Sequence, residues 1–171
     1  LLVARHSLTV AQAEPYASLL ATTTIGPARL AAALTELEEL EELRRVLPVV
    51  EALAASVSVP LSVDTCKGSV ARRCLEAGAT IINDITSLED PETARAVADH
   101  GAGLVLMHMR GNPRTMNLAP RFADVVTEVC DELAERLDRA LRAGIPAERI
   151  ALDPGIGFGK MLDHNLLLLR D

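Results

Sequence analysis

The chain has 171 residues, enough for one domain with a sizeable core but fewer than the roughly 250 of a complete (β/α)₈ barrel. Its charge of −7, from 24 acidic and 17 basic residues with no basic stripe, argues against nucleic acid as a partner. No apolar run approaches the roughly 20 residues of a membrane span, and Leu1 to Ser7 lacks the layout of a signal peptide.

The first 34 residues have weak periodicity and are not placed. Thr35 to Leu53 reads as a helix. Leu37, Leu40, Leu43, Leu47 and Val50 form its apolar face, and Thr35-x-x-Glu38 resembles a capping box. Pro48 is expected to bend it. The acidic run Glu36, Glu38, Glu39, Glu41 and Glu42 reads as a solvated face.

From Val57 onward, short β-rich runs alternate with helices. Val57 to Val63 is a β-branched run that reads as a buried strand. A helix follows from Gly68 to Ala77, stopped by Gly78. Thr80 to Ile85 is a second strand. Asp90-Pro91 supplies an N-cap and a proline at the first helical position, and that helix stops at Gly101. Gly103 to Met109 is a third strand, and Arg110 to Pro120 a polar loop. Arg121 to Ala143 is a long helix with Val125, Val129, Leu133, Leu137 and Leu141 every four residues. Ile150 to Leu152 is a fourth strand. A glycine-rich loop and a helix from Asp163 to Leu169 end the chain. With only 2% aromatic residues in a chain that is 49% hydrophobic, aliphatic side chains must build the core. The class is α/β, with parallel strands covered by helices in one domain over 1–171. Both a barrel and an open doubly wound sheet fit this pattern.

Polar residues recur where the strands end: Asp64, Asn83-Asp84, His108 within Met107-His108-Met109, and Asp153. Ligands of parallel α/β folds bind at that edge. A single Asp after a strand is more often a helix cap, but four such strands in one chain favour a shared site. Two carboxylates and a carboxamide suit a neutral heterocycle presenting a fork of N–H donors. They suit phosphate poorly, and oxygen ligands of this kind also suit a divalent cation.

In Asp153-Pro154-Gly155-Ile156-Gly157-Phe158-Gly159-Lys160 the Walker A spacing fails, and Met161 follows the lysine where Ser or Thr is needed. The glycines instead let backbone pass close to a flat ligand, with the Phe158 ring beside it. Cys66, Cys74 and Cys130 form no CxxC pair, which points to reduced thiols and a cytoplasmic protein. Cys66 has no evident base to make it a nucleophile.

Ser62-Val63-Asp64-Thr65, Ile82-Asn83-Asp84-Ile85, Leu106 to Pro113 with Thr115-Met116, and Leu152 to Lys160 together resemble the dihydropteroate synthase family. The resemblance runs from about Glu36 to Asp171. It implies a (β/α)₈ TIM barrel, present here in part as about four βα units plus an N-terminal helical region. It also implies a transferase of folate biosynthesis that joins p-aminobenzoate to a hydroxymethyl-dihydropterin diphosphate with release of diphosphate. By the same resemblance Asp153 and Asn83 bind the aminopyrimidine edge of the pterin. Asp64 stabilises the cation formed as diphosphate leaves, so Asp64 and Asp153 are the catalytic pair. Ile85 and Met107 pack on the pterin, and Gly157 and Phe158 lie toward the aminobenzoate. His108 is expected to be structural, and Lys67, Arg110 and Lys160 receive no role.

The resemblance further implies Mg²⁺ and a homodimer. However, the family's Asn-Val-Thr-Pro-Asp-Ser-Phe and Ser-Thr-Arg-Pro loops have no counterpart here, beyond a faint echo in Thr24-Ile25-Gly26-Pro27. The family's later Ser-Arg-Lys and Arg-x-His segments do not occur before Asp171. These 171 residues alone are therefore expected to have little or no synthase activity. The alternatives are a methyltetrahydrofolate-dependent methyltransferase domain and a non-catalytic pterin-binding paralogue.

Overall fold

The computed structural model describes residues 27–118 and 120–170. Four parallel strands form one sheet in the order β1-β2-β3-β4. They are β1 (Ser62–Asp64), β2 (Ile81–Asp84), β3 (Gly103–Met107) and β4 (Ile150–Asp153). The helices are α1 (Pro27–Ser56), α2 (Gly68–Glu76), α3 (Pro91–His100), α4 (Val125–Arg142) and α5 (Leu162–Arg170).

Helix α1 begins at Pro27, well before the Thr35 capping signal. Proline suits the first helical position, and the alanine-rich run behind it is strongly helix-forming. Much of the unplaced N-terminal stretch, together with Thr24-Ile25-Gly26, lies outside the described residues. Pro48 does not end the helix. It is exposed, as is Arg44 one turn before it, so water can serve the carbonyl that loses its N–H. Leu40, expected on the apolar face, is 62% exposed, whereas Val50 is buried.

The acidic run of α1 is not simply a solvated face. Glu42 accepts a hydrogen bond from the Thr65 hydroxyl at 2.8 Å and pairs with Lys67 at 3.1 Å. Glu39 accepts from Ser69 Oγ at 2.6 Å. These carboxylates seat α1 on the loop that follows β1.

Strand β1 is shorter than the run Val57 to Val63. Val57 N continues the helical pattern by donating to Leu53 O at 2.9 Å. Pro60 has no N–H to give a ladder, and Val59 is 64% exposed. Asp90 caps two helices at once, accepting from Glu92 N at 2.9 Å and from Gly68 N at 2.7 Å. Helix α4 starts at Val125 because Asp124 accepts from Val126 N and Thr127 N. Its every-fourth-residue stripe drifts around the axis, since four residues exceed one turn of 3.6. Val125, Val129 and Leu133 are therefore buried, while Leu141 is exposed and Ala140 takes its place.

The core lies on the helix side of the sheet. Val63, Ile82 and Leu104 are buried there with Val70, Cys74, Leu75 and Val97. A second cluster joins Val125, Val129 and Leu133 to Phe122, Leu167 and Leu168. It fixes α5 against α4.

Candidate functional site

The strand register decides which polar residues can meet. Asp64 pairs with Asn83, Asn83 with Val105, and Val105 with Ala151. Side chains in register stand on the same face, and those two apart along a strand share it. Asp64 and Asn83 are therefore neighbours on the face opposite the core. Asp153, two residues beyond Ala151 and in register with Met107, lies on that face one layer further toward the C-terminal edge. All three are partly exposed. Met107, in contrast, is almost fully buried, and Ile85 follows directly after β2 and is half-buried.

Asp84 points the other way and is buried. It accepts from Thr86 N at 2.8 Å, Thr86 Oγ1 at 2.7 Å and Leu88 N at 2.8 Å. These bonds hold a loop in which Ser87 and Leu88 have φ of 55° and 66°, a left-handed conformation that costs a non-glycine residue about 1 kcal/mol or more. Ser87 Oγ donates to Met107 O at 2.8 Å, and Arg139 donates to Ser87 O at 3.1 Å. Asp84 thus shapes the loop after β2 from behind the site.

The glycine-rich loop after β4 leans on β3. Gly155 has φ +69°, and a Cβ there would stand 2.0 Å from His108 O. Gly157, at φ +83°, has no atom of the described residues within 4 Å of its Cβ position. Its N–H donates to Asn165 Oδ1 at 2.9 Å. Asp153 Oδ1 accepts from Gly155 N at 2.7 Å, and Phe158 N donates to Gly155 O at 3.0 Å.

Beneath this loop lies a charge network that the sequence did not reveal. The Lys160 ammonium is buried and donates to His108 O at 3.2 Å, Gly155 O at 3.1 Å and Phe158 O at 3.1 Å. It also lies 2.9 Å from His108 Nδ1. The other nitrogen, His108 Nε2, is 3.0 Å from Glu132 Oε2. Burial, and then the Lys160 charge, push the His108 imidazole down to about 4. The ammonium's three N–H groups are shared among four acceptors, and a neutral ring can be one of them only with Nδ1 unprotonated, so Nε2 carries the hydrogen and donates to Glu132.

Arg110 donates to Glu132 at 2.7 Å through Nε and to Glu128 at 2.7 Å through Nη2. It stacks 4.2 Å above the Phe122 ring. Burial alone would raise Glu132, but the Arg110 hydrogen bonds and neighbouring cations outweigh it and hold the carboxyl below its ordinary value. A lysine closing a glycine-rich loop, with a histidine directly after β3, was the available signal.

Among the described residues no three His, Cys, Asp or Glu side chains gather to hold a metal. Nor is any described helix long and apolar enough to cross a membrane.

The family model for pterin-binding enzymes matches residues 25–171. The dihydropteroate synthase of Escherichia coli (strain K12) is 51% identical over 129 residues, covering 75% of this chain and 46% of that protein. A crystal structure of the Yersinia pestis dihydropteroate synthase with a sulfonamide drug complex is 46% identical with a TM-score of 0.75, covering 77% of this chain and 48% of that one. The Xanthomonas albilineans dihydropteroate synthase with 4-aminobenzoic acid is 48% identical with a TM-score of 0.70, covering 76% and 45%. The chain thus spans about half the length of these relatives. Its four parallel βα units correspond to part of a TIM barrel. The chain belongs to the family of pterin-binding enzymes, and the relatives it matches there are dihydropteroate synthases.

Proposed function

We propose that the protein carrying this chain is a dihydropteroate synthase. The amine of p-aminobenzoate attacks the methylene carbon of 6-hydroxymethyl-7,8-dihydropterin diphosphate. The new N–C bond forms as the C–O bond breaks, diphosphate leaves with the electron pair, and the amine's surplus proton passes to solvent.

One observation carries this reading. Asp64 and Asn83 stand side by side in register, and Asp153 extends the same face, at the strand edge where parallel folds bind ligands. A carboxylate offers two acceptors to an aminopyrimidine fork, and a carboxamide adds a donor and an acceptor. Asp153 and Asn83 would hold that edge. Asp64 would lie by the second ring, where a fixed carboxylate stabilises positive charge as diphosphate departs. Ile85 and Met107 would pack against the pterin, and Gly157 and Phe158 would face the aminobenzoate. The 4-aminobenzoic acid of the Xanthomonas relative supports the choice of second substrate. A cytoplasmic, homodimeric enzyme using Mg²⁺ completes the proposal.

The test is diphosphate release by the full-length gene product given both substrates. Asp153→Ala should weaken binding of the pterin diphosphate by about 100-fold, the scale of a lost charge-assisted pair. A full-length protein that binds the pterin yet releases no diphosphate when p-aminobenzoate is added would overturn the reading.

A further inference from the structure

We propose that Lys160 is a positioning residue for the second substrate: its ammonium clamps the loop after β4 onto the end of β3 and so sets the place of Gly157 and Phe158. The inference rests on the synthase reading for the identity of that substrate, and on geometry alone for the clamp.

Three carbonyls converge on one buried Nζ. One belongs to β3's extension at His108, and two belong to the loop, at Gly155 and Phe158. The two loop carbonyls bracket Gly157, which has no atom of the described residues within 4 Å of its Cβ position. A compact ammonium suits this task because its three donors diverge from one point. A planar guanidinium cannot place its N–H groups on three converging carbonyls and a ring nitrogen at these distances.

The charge is not left uncompensated. His108 Nδ1 faces it at 2.9 Å, and Glu132 accepts from the far side of that ring. Burial pushes the Lys160 ammonium down to about 8, with Arg136 and Arg110 adding to the shift and Asp153 and Glu132 opposing it. Arg110 and Arg136 are themselves tied to Glu132, so the clamp is anchored through His108 to α4. Asp153 is tied to the loop at its side chain, where Oδ1 accepts from Gly155 N at 2.7 Å, but its main chain is held separately. Its backbone carbonyl accepts from His108 N at 2.8 Å, a ladder bond that does not need the lysine. Loss of Lys160 should therefore disturb the aminobenzoate side more than the pterin side, where the main chain of Asp153 stays in the ladder.

The experiment compares wild type, Lys160→Met and Lys160→Arg in the full-length protein. Titrations use the pterin diphosphate alone, and then p-aminobenzoate in the presence of pterin and inorganic diphosphate. Both variants should weaken aminobenzoate binding at least tenfold and change pterin binding less than threefold. A Lys160→Arg protein with wild-type aminobenzoate affinity would overturn the clamp, because charge without the compact geometry would then suffice. Equal losses for both ligands would also overturn it. A wild-type protein that bound neither ligand would overturn the synthase reading and the assignment of the second substrate with it. The ¹⁵N spectrum of the His108 ring tests the clamp without any variant: Nδ1 should be unprotonated and Nε2 protonated at pH 7. A proton on Nδ1 would refute the clamp whatever the protein binds.

Discussion

The loops after β1 and β4 each carry a lysine beside a candidate pterin carboxylate, and the two lysines differ in kind. Lys67 is partly exposed and pairs with Glu42 at 3.1 Å. Lys160 is buried and holds three backbone carbonyls and a ring nitrogen. The first pair joins two side chains that can each turn to water. The second grips main chain, so its loss cannot be absorbed by a rotamer change. A loop held through its carbonyls has its shape set by tertiary contacts, whereas a loop seated by surface carboxylates keeps most of its shape without them.

Three measurements sharpen that contrast. The largest effect is expected at Gly155. Gly155→Ala places a Cβ 2.0 Å from His108 O at φ +69°, so it should destabilise the protein by about 4 kcal/mol in denaturant unfolding. A loss below about 1 kcal/mol would mean that the loop does not press on β3.

Next comes the acid response of His108. Its folded value lies near 4 instead of 6.5, so the unfolded chain binds the extra proton first. The stability that depends on a neutral ring is complete above pH 6.5 and drains away as pH falls from 6.5 toward 4. The loss should approach about 3 kcal/mol. Unfolding curves of wild type and His108→Gln, compared at pH 7 and pH 4.5, isolate this contribution. Parallel pH dependence in the two proteins would show that the ring is not buried against an ammonium.

The smallest effect belongs to the β1 side. Lys67→Met should cost no more than about 1 kcal/mol, because Glu42 keeps the Thr65 hydroxyl as a donor. A larger loss would make the two loops alike and remove the contrast.

Much of the architecture was legible because it is local. Asp90-Pro91 and Gly101 bound α3 as expected, since a cap and a left-handed terminus are set by a few adjacent residues. Strand β1 was misjudged because β-branched residues alone cannot reveal whether a partner strand is there to pair with. The start of α1 was missed because Thr35-x-x-Glu38 outweighed the proline and alanines upstream of it. Glu39 and Glu42 read as solvated charge because their partners Ser69 and Thr65 lie 30 and 23 residues away.

The candidate site divides along the same line. By itself the sequence determined that short polar side chains end three strands of a parallel α/β unit. Strand, turn and cap preferences act over a few residues, and those signals are written in order along the chain. Only the tertiary structure decided that Asp64, Asn83 and Asp153 share a face while Asp84 turns away. Register is a relation between strands, and pleating converts it into sidedness. It alone also joined Lys160 to His108, 52 residues apart. A buried charge must find its acceptors wherever folding brings them, and nothing in the spacing of a sequence records that meeting.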